Sequence, residues 1–389
     1  MSSMLKPVVL SMQGLKRCLV TSSKLILPVS SGDKKSDSTS KSCPNPENLE
    51  DGFHKFFPNV ISQIIKHSRC QNIPDVAKWI NTVFETNCSG GKMRRGMTIL
   101  ESLLILKDGK IDQDELQDAF LVAWAAEMMQ SFILIMDDYM DQSETRRGKP
   151  CWYKTGNLGP KAMNDAFLME SSIYELFYHS LSSKPFYKEI LHLFKDMVTR
   201  TSIGQTLDTY MSPNIGEKPN LTLYTTENYE GICKHKSSYY TIYLPVAAAM
   251  VLSGIKNKTA FEAAWNIALP LGIYFQEQDD YLDLYGDPNV TGKVGSDIRF
   301  GKCTWFAVQV MKTGKKHQIK LLKDFYGSKQ EESIQKIKKL YEEMNLQNVF
   351  HNHALERSEE FNSKLNKLPN SVPTIIFHNI INSIVNRNK

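Results

Sequence analysis

Two copies of one acidic pattern restrict what this chain can fold into. The stretch Phe132–Trp152 (FILIMDDYMDQSETRRGKPCW) places Asp137, Asp138 and Asp141 at the end of an apolar run and follows them with Arg146 and Arg147. The spacing returns far downstream as Asp279, Asp280 and Asp283, again closing an apolar run. On a helix, residues four apart share one face about a turn from each other, so each copy stacks carboxylates that repel. A hard divalent cation is the natural counter-charge: Mg²⁺ takes oxygen ligands and is often shared between carboxylates and substrate phosphates. A single such motif reads more simply as a solvated acidic face. Two copies, each ending an apolar helix, point into a cleft, and the rest of the chain has to bring them face to face.

The chain around them is helical in character. Apolar residues recur at three- and four-residue steps in Val60–His67, Asp114–Met140, Asn164–Leu181, Phe186–Tyr210, Tyr229–Gly254, Thr259–Asp283, Cys303–Thr313 and Glu331–Met344. Strand-like alternation is scarce. Short polar breaks such as SGGK (89–92), KDGK (107–110) and GDPNVTGK (286–293) separate many of the runs. The expectation is an all-α fold, a single large bundle of roughly ten or more helices. Glycine-rich nucleotide loops of the Rossmann or P-loop kind are absent.

Charge and cysteine usage narrow the function. A net charge of +5 over 389 residues, with the basic residues scattered, gives no reason to expect nucleic acid as a partner. No apolar run reaches the ~18 residues of a membrane span; the nearest, Ile242–Val251, is interrupted by Pro245. The seven cysteines form no CxxC pair, which favours reduced thiols over a disulfide frame or a zinc site. Residues 1–32 carry Lys6, Lys16, Arg17 and Lys24 and no acid, the first being Asp33. That composition reads as a mitochondrial transit peptide, with a disordered tail as the alternative. Gly32–Pro46 is polar and reads as a linker, so 1–46 is set apart from a folded domain at 47–389.

Basic residues surround the acidic motifs in sequence. GGKMRRG supplies Lys92, Arg94 and Arg95; TRRG supplies Arg146 and Arg147; Lys236, Lys293 and Lys302 follow. Arginine forks suit bidentate phosphate contact and lysine acts as a point charge. As a set they make sense if two phosphorylated groups are held, one through metal and one directly.

These stretches, with IGQTLDTY, KHKSSYYTIYLPVAAAM, FQEQDDYLDLYGDPNVTGKVGSDI and KCTW, make the chain similar to trans-isoprenyl diphosphate synthases, most of all the farnesyl diphosphate synthases of animals, insects included. The resemblance implies an isoprenoid synthase fold with a central active-site cleft, and a homodimer. It implies that Asp137 and Asp141 bind two Mg²⁺ and Asp279 a third, supported by Asp138, Asp280 and Asp283, with Mn²⁺ or Co²⁺ able to substitute. It implies that Arg146, Lys236 and Lys293 hold an allylic diphosphate, with Lys302 a further substrate-binding residue. Lys92, Arg95, Gln130 and Arg147 match a pocket for isopentenyl diphosphate, and Arg387 matches a further basic contact. Gln205, Ser237 and Gln276 match polar positions around an allylic cation. The implied reaction ionises a prenyl diphosphate and adds isopentenyl diphosphate, giving a product of ten or fifteen carbons, farnesyl diphosphate first among them. Phe132 and Ile133, about one turn before the first motif, either floor the pocket for the growing tail or are ordinary core residues. The histidines need no catalytic role, and His351 and His353 read as surface or packing residues.

Several positions depart from the family pattern: Arg94, Glu277 in place of an apolar residue, Ser237 for threonine, Phe300–Gly301 for a polar pair, and Ile133 for an aromatic. They keep open a terpene synthase that rearranges a prenyl diphosphate such as farnesyl diphosphate without condensing it, and a catalytically silent subunit. Retention of Lys92, Arg95, Gln130 and Arg147 favours condensation over the former, and the two intact acidic motifs argue against the latter.

Overall fold

The computed structural model describes residues 46–213, 217–287, 295–368, 372 and 374–385. Residues 1–45, read from the sequence as a transit peptide and linker, and Lys293 and Arg387 lie outside the described residues; Pro46 opens the first helix. The described chain is all-α. In order the helices are α1 (Pro46–His67), α2 (Pro74–Cys88), α3 (Arg94–Leu106), α4 (Gln113–Met140), α5 (Ala162–Leu181), α6 (Tyr187–Met211), α7 (Thr226–Ile232), α8 (Leu244–Leu252) and α9 (Lys258–Tyr285). They continue as α10 (Asp297–Phe300), α11 (Trp305–Thr313), α12 (Lys316–Phe325), α13 (Glu331–Glu343), α14 (Leu346–Leu365) and α15 (Thr374–Val385). A π-helical segment, Cys233–Tyr243, joins α7 to α8. The one two-stranded sheet described is the hairpin Thr145–Arg146 with Lys149–Pro150, whose turn puts Arg147 and Gly148 at positive φ. Two such residues make the turn that best fits hairpin twist, and Gly148 takes its position without penalty.

The centre of the bundle is α4. It starts from a capping box, in which the Asp112 side chain accepts from the Asp114 and Glu115 backbone N–H groups and Glu115 reaches back to the Asp112 N–H. Trp124 within it stacks on Phe53 and Phe57 of α1 at centroid distances of 4.5 and 3.9 Å, and its indole N–H donates to the Phe53 carbonyl. No uninterrupted apolar run in the sequence reaches the length of a membrane span, yet α4 is long and apolar enough to cross one, even with Asp118 and Glu127 inside it. Its most apolar stretch is 78% buried, so helix neighbours take the place of lipid as a cover for these side chains.

Two helices run through a proline, and one of them starts well before the sequence reading placed it. The periodic run read from Val60 is the end of α1, which passes through Pro58, and α9 passes through Pro270. A proline removes one backbone hydrogen bond, and burial of Phe53, Phe57, Val60 and Ile61 on the same helix outweighs it. Tyr229–Gly254, read as one helix, is α7, the π segment and α8. Pro245 at the start of α8 has no N–H to return to the preceding turn, which favours a looser ladder there. Two glycines let this segment sink between α6 and α9. A Cβ on Gly204 would strike the backbone of Lys236, and one on Gly272 the backbone of Ser238.

Candidate active site

The helix ends enclose a cavity of about 1090 Å³. Asp137 and Asp141 from α4 line it together with Asp279 and Asp280 from α9, so the two acidic motifs meet in one space. Lys92, Arg94 and Arg95 from the start of α3, Gln130 of α4, Arg146 and Arg147 of the hairpin, and Lys302 before α11 line it too. The π segment adds Lys236, Ser237, Tyr240 and Thr241, a recurrence at four- and five-residue steps that suits its wider turn.

The floor of charge is a five-membered cluster. Lys236 Nζ lies 2.8 Å from Asp137 Oδ1 and 2.6 Å from Asp208 Oδ2; Lys302 Nζ lies 2.6 Å from Asp141 Oδ1 and 3.0 Å from Asp208 Oδ2. Burial alone would push the Asp208 carboxyl up, but the two ammonium groups outweigh it and hold it well below the usual carboxylate range. Burial would likewise raise Asp137, and Lys236, Lys302 and Arg146 reverse the sign. Asp141 stays raised, by burial and then by repulsion from Asp137. Asp208 was contained in the quoted IGQTLDTY stretch but not singled out. Its signal was its place three residues after Gln205, on the same face of α6.

The acidic residues divide by direction. Asp138 is buried and gives its carboxylate to Arg146, at 3.1 Å from Nε and 2.5 Å from Nη2. Asp280 accepts from the Tyr229 hydroxyl (2.6 Å), the Trp305 backbone N–H (2.8 Å) and Gln276 Nε2 (3.1 Å). Burial still pushes its carboxyl up to about 7. Asp283 Oδ2 accepts the N–H groups of Ser296 and Asp297 at the start of α10. Asp138, Asp280 and Asp283, grouped with the metal candidates on spacing, also brace Arg146, the α9–α11 junction and α10.

The remaining carboxylates fit a hard cation. Ligand oxygens of Asp137, Asp141 and Asp208 lie within 4.8 Å of one another, all oxygen donors as Mg²⁺ requires. Gln205 donates from Nε2 to Asp137 Oδ1 (3.2 Å), while its Oε1 is buried without a partner, aligned with a site built to hold something more. The ammonium groups of Lys236 and Lys302 stand beside these oxygens and offset two of the three negative charges, which leaves the cluster one charge short of neutral.

On the opposite wall, Arg95 donates to Gln130 Oε1 and, at 2.6 Å, to Thr241 Oγ1, and its guanidinium lies 4.4 Å from the centre of the Tyr240 ring. Glu127 accepts the Gly96 N–H beneath it (2.8 Å). Arg147 donates to the Ser89 carbonyl at 3.2 Å. Ser237 donates to Gln276 Oε1 at 2.7 Å, forming a chain that continues to Asp280. Ile133 and Phe275 line the apolar part of the cavity, whereas Phe132 is buried and lies outside the lining. The sequence paired Phe132 with Ile133; only Ile133 faces the space. Glu127, Thr241, Tyr240 and Tyr229 were not foreseen, being polar or aromatic residues inside apolar runs whose direction spacing alone does not give.

The family model described as polyprenyl synthetase matches residues 77–344. The farnesyl diphosphate synthase of Dictyostelium discoideum is 39% identical over 350 residues, covering 88% of this chain and 90% of that protein. The farnesyl pyrophosphate synthase of Bos taurus is 40% identical over 318 residues, covering 82% and 90%. Among solved structures, T. brucei farnesyl diphosphate synthase complexed with risedronate superposes with a TM-score of 0.80 at 29% identity, covering 88% of this chain and all of that one.

Proposed function

The chain belongs to the polyprenyl synthetase family, and we propose from that premise that it condenses isopentenyl diphosphate with dimethylallyl diphosphate to give geranyl diphosphate, and with geranyl diphosphate to give farnesyl diphosphate, releasing one diphosphate each time. The observation that carries this reading is the pairing of a carboxylate–lysine floor with a separate basic wall of Lys92, Arg95, Gln130 and Arg147 in one cavity. A chain that only ionised a prenyl diphosphate would have no use for the second wall.

Arg146, Lys236 and Lys302 are the protein cations for the allylic diphosphate. Mg²⁺ held by Asp137 and Asp141, and a further ion at Asp279, would supply the remaining charge that stabilises the departing diphosphate. Asp208 keeps both lysines charged and aimed at that spot. Asp138 holds Arg146 through Nε and Nη2, and the same Nη2 lies 3.7 Å from Asp137 Oδ2, which keeps the guanidinium beside the first acidic motif. Gln205, and the Ser237–Gln276 pair, present oxygen dipoles to the developing cation. Arg95, braced by Gln130 and Thr241, orients isopentenyl diphosphate so that its double bond faces the cation; the proton then lost goes to the released diphosphate. The tail of the product runs toward Ile133 and Phe275, which set its length.

The reading extends to three further properties. The ions number three per site, with Mg²⁺ preferred. The working unit is a homodimer, as light scattering of the purified chain would reveal. The basic, acid-free residues 1–32 direct the chain to mitochondria; a diffuse cytosolic signal from residues 1–45 fused to a fluorescent reporter would refute this. The condensation itself is tested with geranyl diphosphate, Mg²⁺ and isotope-labelled isopentenyl diphosphate. The expected product is farnesyl diphosphate carrying one labelled unit, and a product without label overturns the proposal.

A further inference from the structure

Glu277 is the residue the family pattern would make apolar, and it lies two positions before Asp279. Its side chain is 3% exposed, faces away from the cavity, and meets α14: Oε2 lies 2.8 Å from His353 Nε2 and Oε1 3.2 Å from Arg357 Nη2. Arg357 in turn donates to Glu360 at 3.0 Å. An unpaired buried carboxylate would be costly, so the two partners on α14 explain how the chain tolerates it. One turn further along α9, Tyr281 is also gripped by α14. Its ring stacks on Phe350 at 4.7 Å, and its hydroxyl accepts from Gln347 Nε2 at 3.0 Å. His353 also stands against Trp305 at 5.5 Å, and the Trp305 backbone N–H holds Asp280. His353 is therefore neither a plain surface nor a plain packing residue.

We propose that Glu277, His353 and Arg357 form a positioning cluster for the second acidic motif. Apolar packing lets a helix roll about its axis; hydrogen bonds to a carboxylate do not, because they fix direction as well as distance. Each residue of a helix is turned by a fixed angle from the next. Locking Glu277 against α14 therefore fixes the aim of Gln276 and Asp279 on the opposite face. Through Trp305 the same cluster seats Asp280 and the segment bearing Lys302. The outer helix α14 thus governs the side of the cavity that receives diphosphate, and leaves alone the wall made by α3 and α4.

The proposal rests on the reading of Asp279 as part of a metal–diphosphate site, and the test separates the two. Calorimetry with Mg²⁺ and inorganic diphosphate is run on the wild-type chain, on Arg357→Ala, and on the triple variant Glu277→Leu/His353→Leu/Arg357→Met. The triple variant carries no buried charge and so folds where Arg357→Ala fails to. Loss of an outer partner of a metal site typically costs 10- to 100-fold in affinity. The triple variant is expected to bind Mg²⁺–diphosphate about tenfold more weakly, with half-saturating Mg²⁺ for turnover raised in proportion and the KM for isopentenyl diphosphate unchanged. His353→Gln, which keeps a donor to Glu277, is expected to lie nearer wild type than His353→Leu. A folded triple variant within twofold of wild type overturns the proposal alone. A wild-type chain that binds no Mg²⁺–diphosphate overturns the functional reading and the proposal with it.

Discussion

Replacing Asp208 by asparagine keeps the shape of the site and removes one charge. Asp208 Oδ2 accepts from Lys236 at 2.6 Å and Lys302 at 3.0 Å, and the lysines reach on to Asp137 and Asp141. In the wild type three carboxylates face two ammonium groups; in the variant they balance. An incoming divalent cation then meets a neutral cluster, and Asp137 and Asp141 hold the lysines more tightly against it. Each lysine keeps another carboxylate within 2.8 Å, so the cluster holds together and what is lost is one carboxylate beside the cation site. Loss of a partner that supports a metal site typically costs 10- to 100-fold in metal affinity or activity, or about 1.4–2.7 kcal/mol at 1.36 kcal/mol per decade. The expected results are a kcat/KM for geranyl diphosphate about 10- to 100-fold lower, a matching loss of Mg²⁺–diphosphate affinity, and an unchanged KM for isopentenyl diphosphate. Acid unfolding gives a second readout. Asp208 titrates lower in the folded chain than in the unfolded one. Its stabilisation is therefore complete above the unfolded value of about 3.9 and is lost as pH falls toward the folded one. Asp208→Asn flattens the wild-type loss of stability below about pH 4. A variant within threefold of wild type in kcat/KM and Mg²⁺–diphosphate affinity would refute the reasoning.

Further tests address other parts of the cavity. Ile133→Ala opens the apolar end and is expected to lengthen the product on chromatography, whereas Phe132→Ala, behind the lining, mainly costs stability, the about 3–5 kcal/mol of a buried aromatic truncation, seen as a lower Tm. Arg146→Lys replaces a fork that meets Asp138 through Nε and Nη2 with a point charge; about 1.5–3 kcal/mol is expected, seen as a ten- to hundredfold loss in kcat/KM for the allylic substrate. Burial pushes the Cys88 and Cys151 thiols up to about 12 and raises those of Cys233 and Cys303 as well, so iodoacetamide at pH 8 is expected to leave all four unmodified in the native chain, as peptide mass mapping would show.

What the sequence made legible was whatever follows from period and spacing. The runs 114–140 and 259–283 appear as α4 and α9 within two residues at each end, and the acidic motifs at their ends share a cavity. Direction was not legible. DDxxD spacing places Asp137, Asp138 and Asp141 near one another, but the backbone path that turns Asp138 to Arg146 and Asp137 to Lys236 depends on segments far away in sequence. The π segment was hidden because its looser ladder reflects packing against Gly204 and Gly272, which no local pattern reports. Helices α2, α3, α10, α12, α14 and α15 were not among the named runs. For α14 the consequence was large: Glu277 stood out as a misfit in its own helix, and the partners that neutralise it lie 76 and 80 residues downstream.

The central claim is that one cavity couples ionisation of an allylic diphosphate to its capture by isopentenyl diphosphate. Continuous measurement of diphosphate release from geranyl diphosphate, with Mg²⁺ and with or without isopentenyl diphosphate, tests it most directly. The account predicts release only when isopentenyl diphosphate is present, one diphosphate for each isopentenyl unit consumed. Sustained release without it, accompanied by a hydrocarbon or alcohol, would contradict the account.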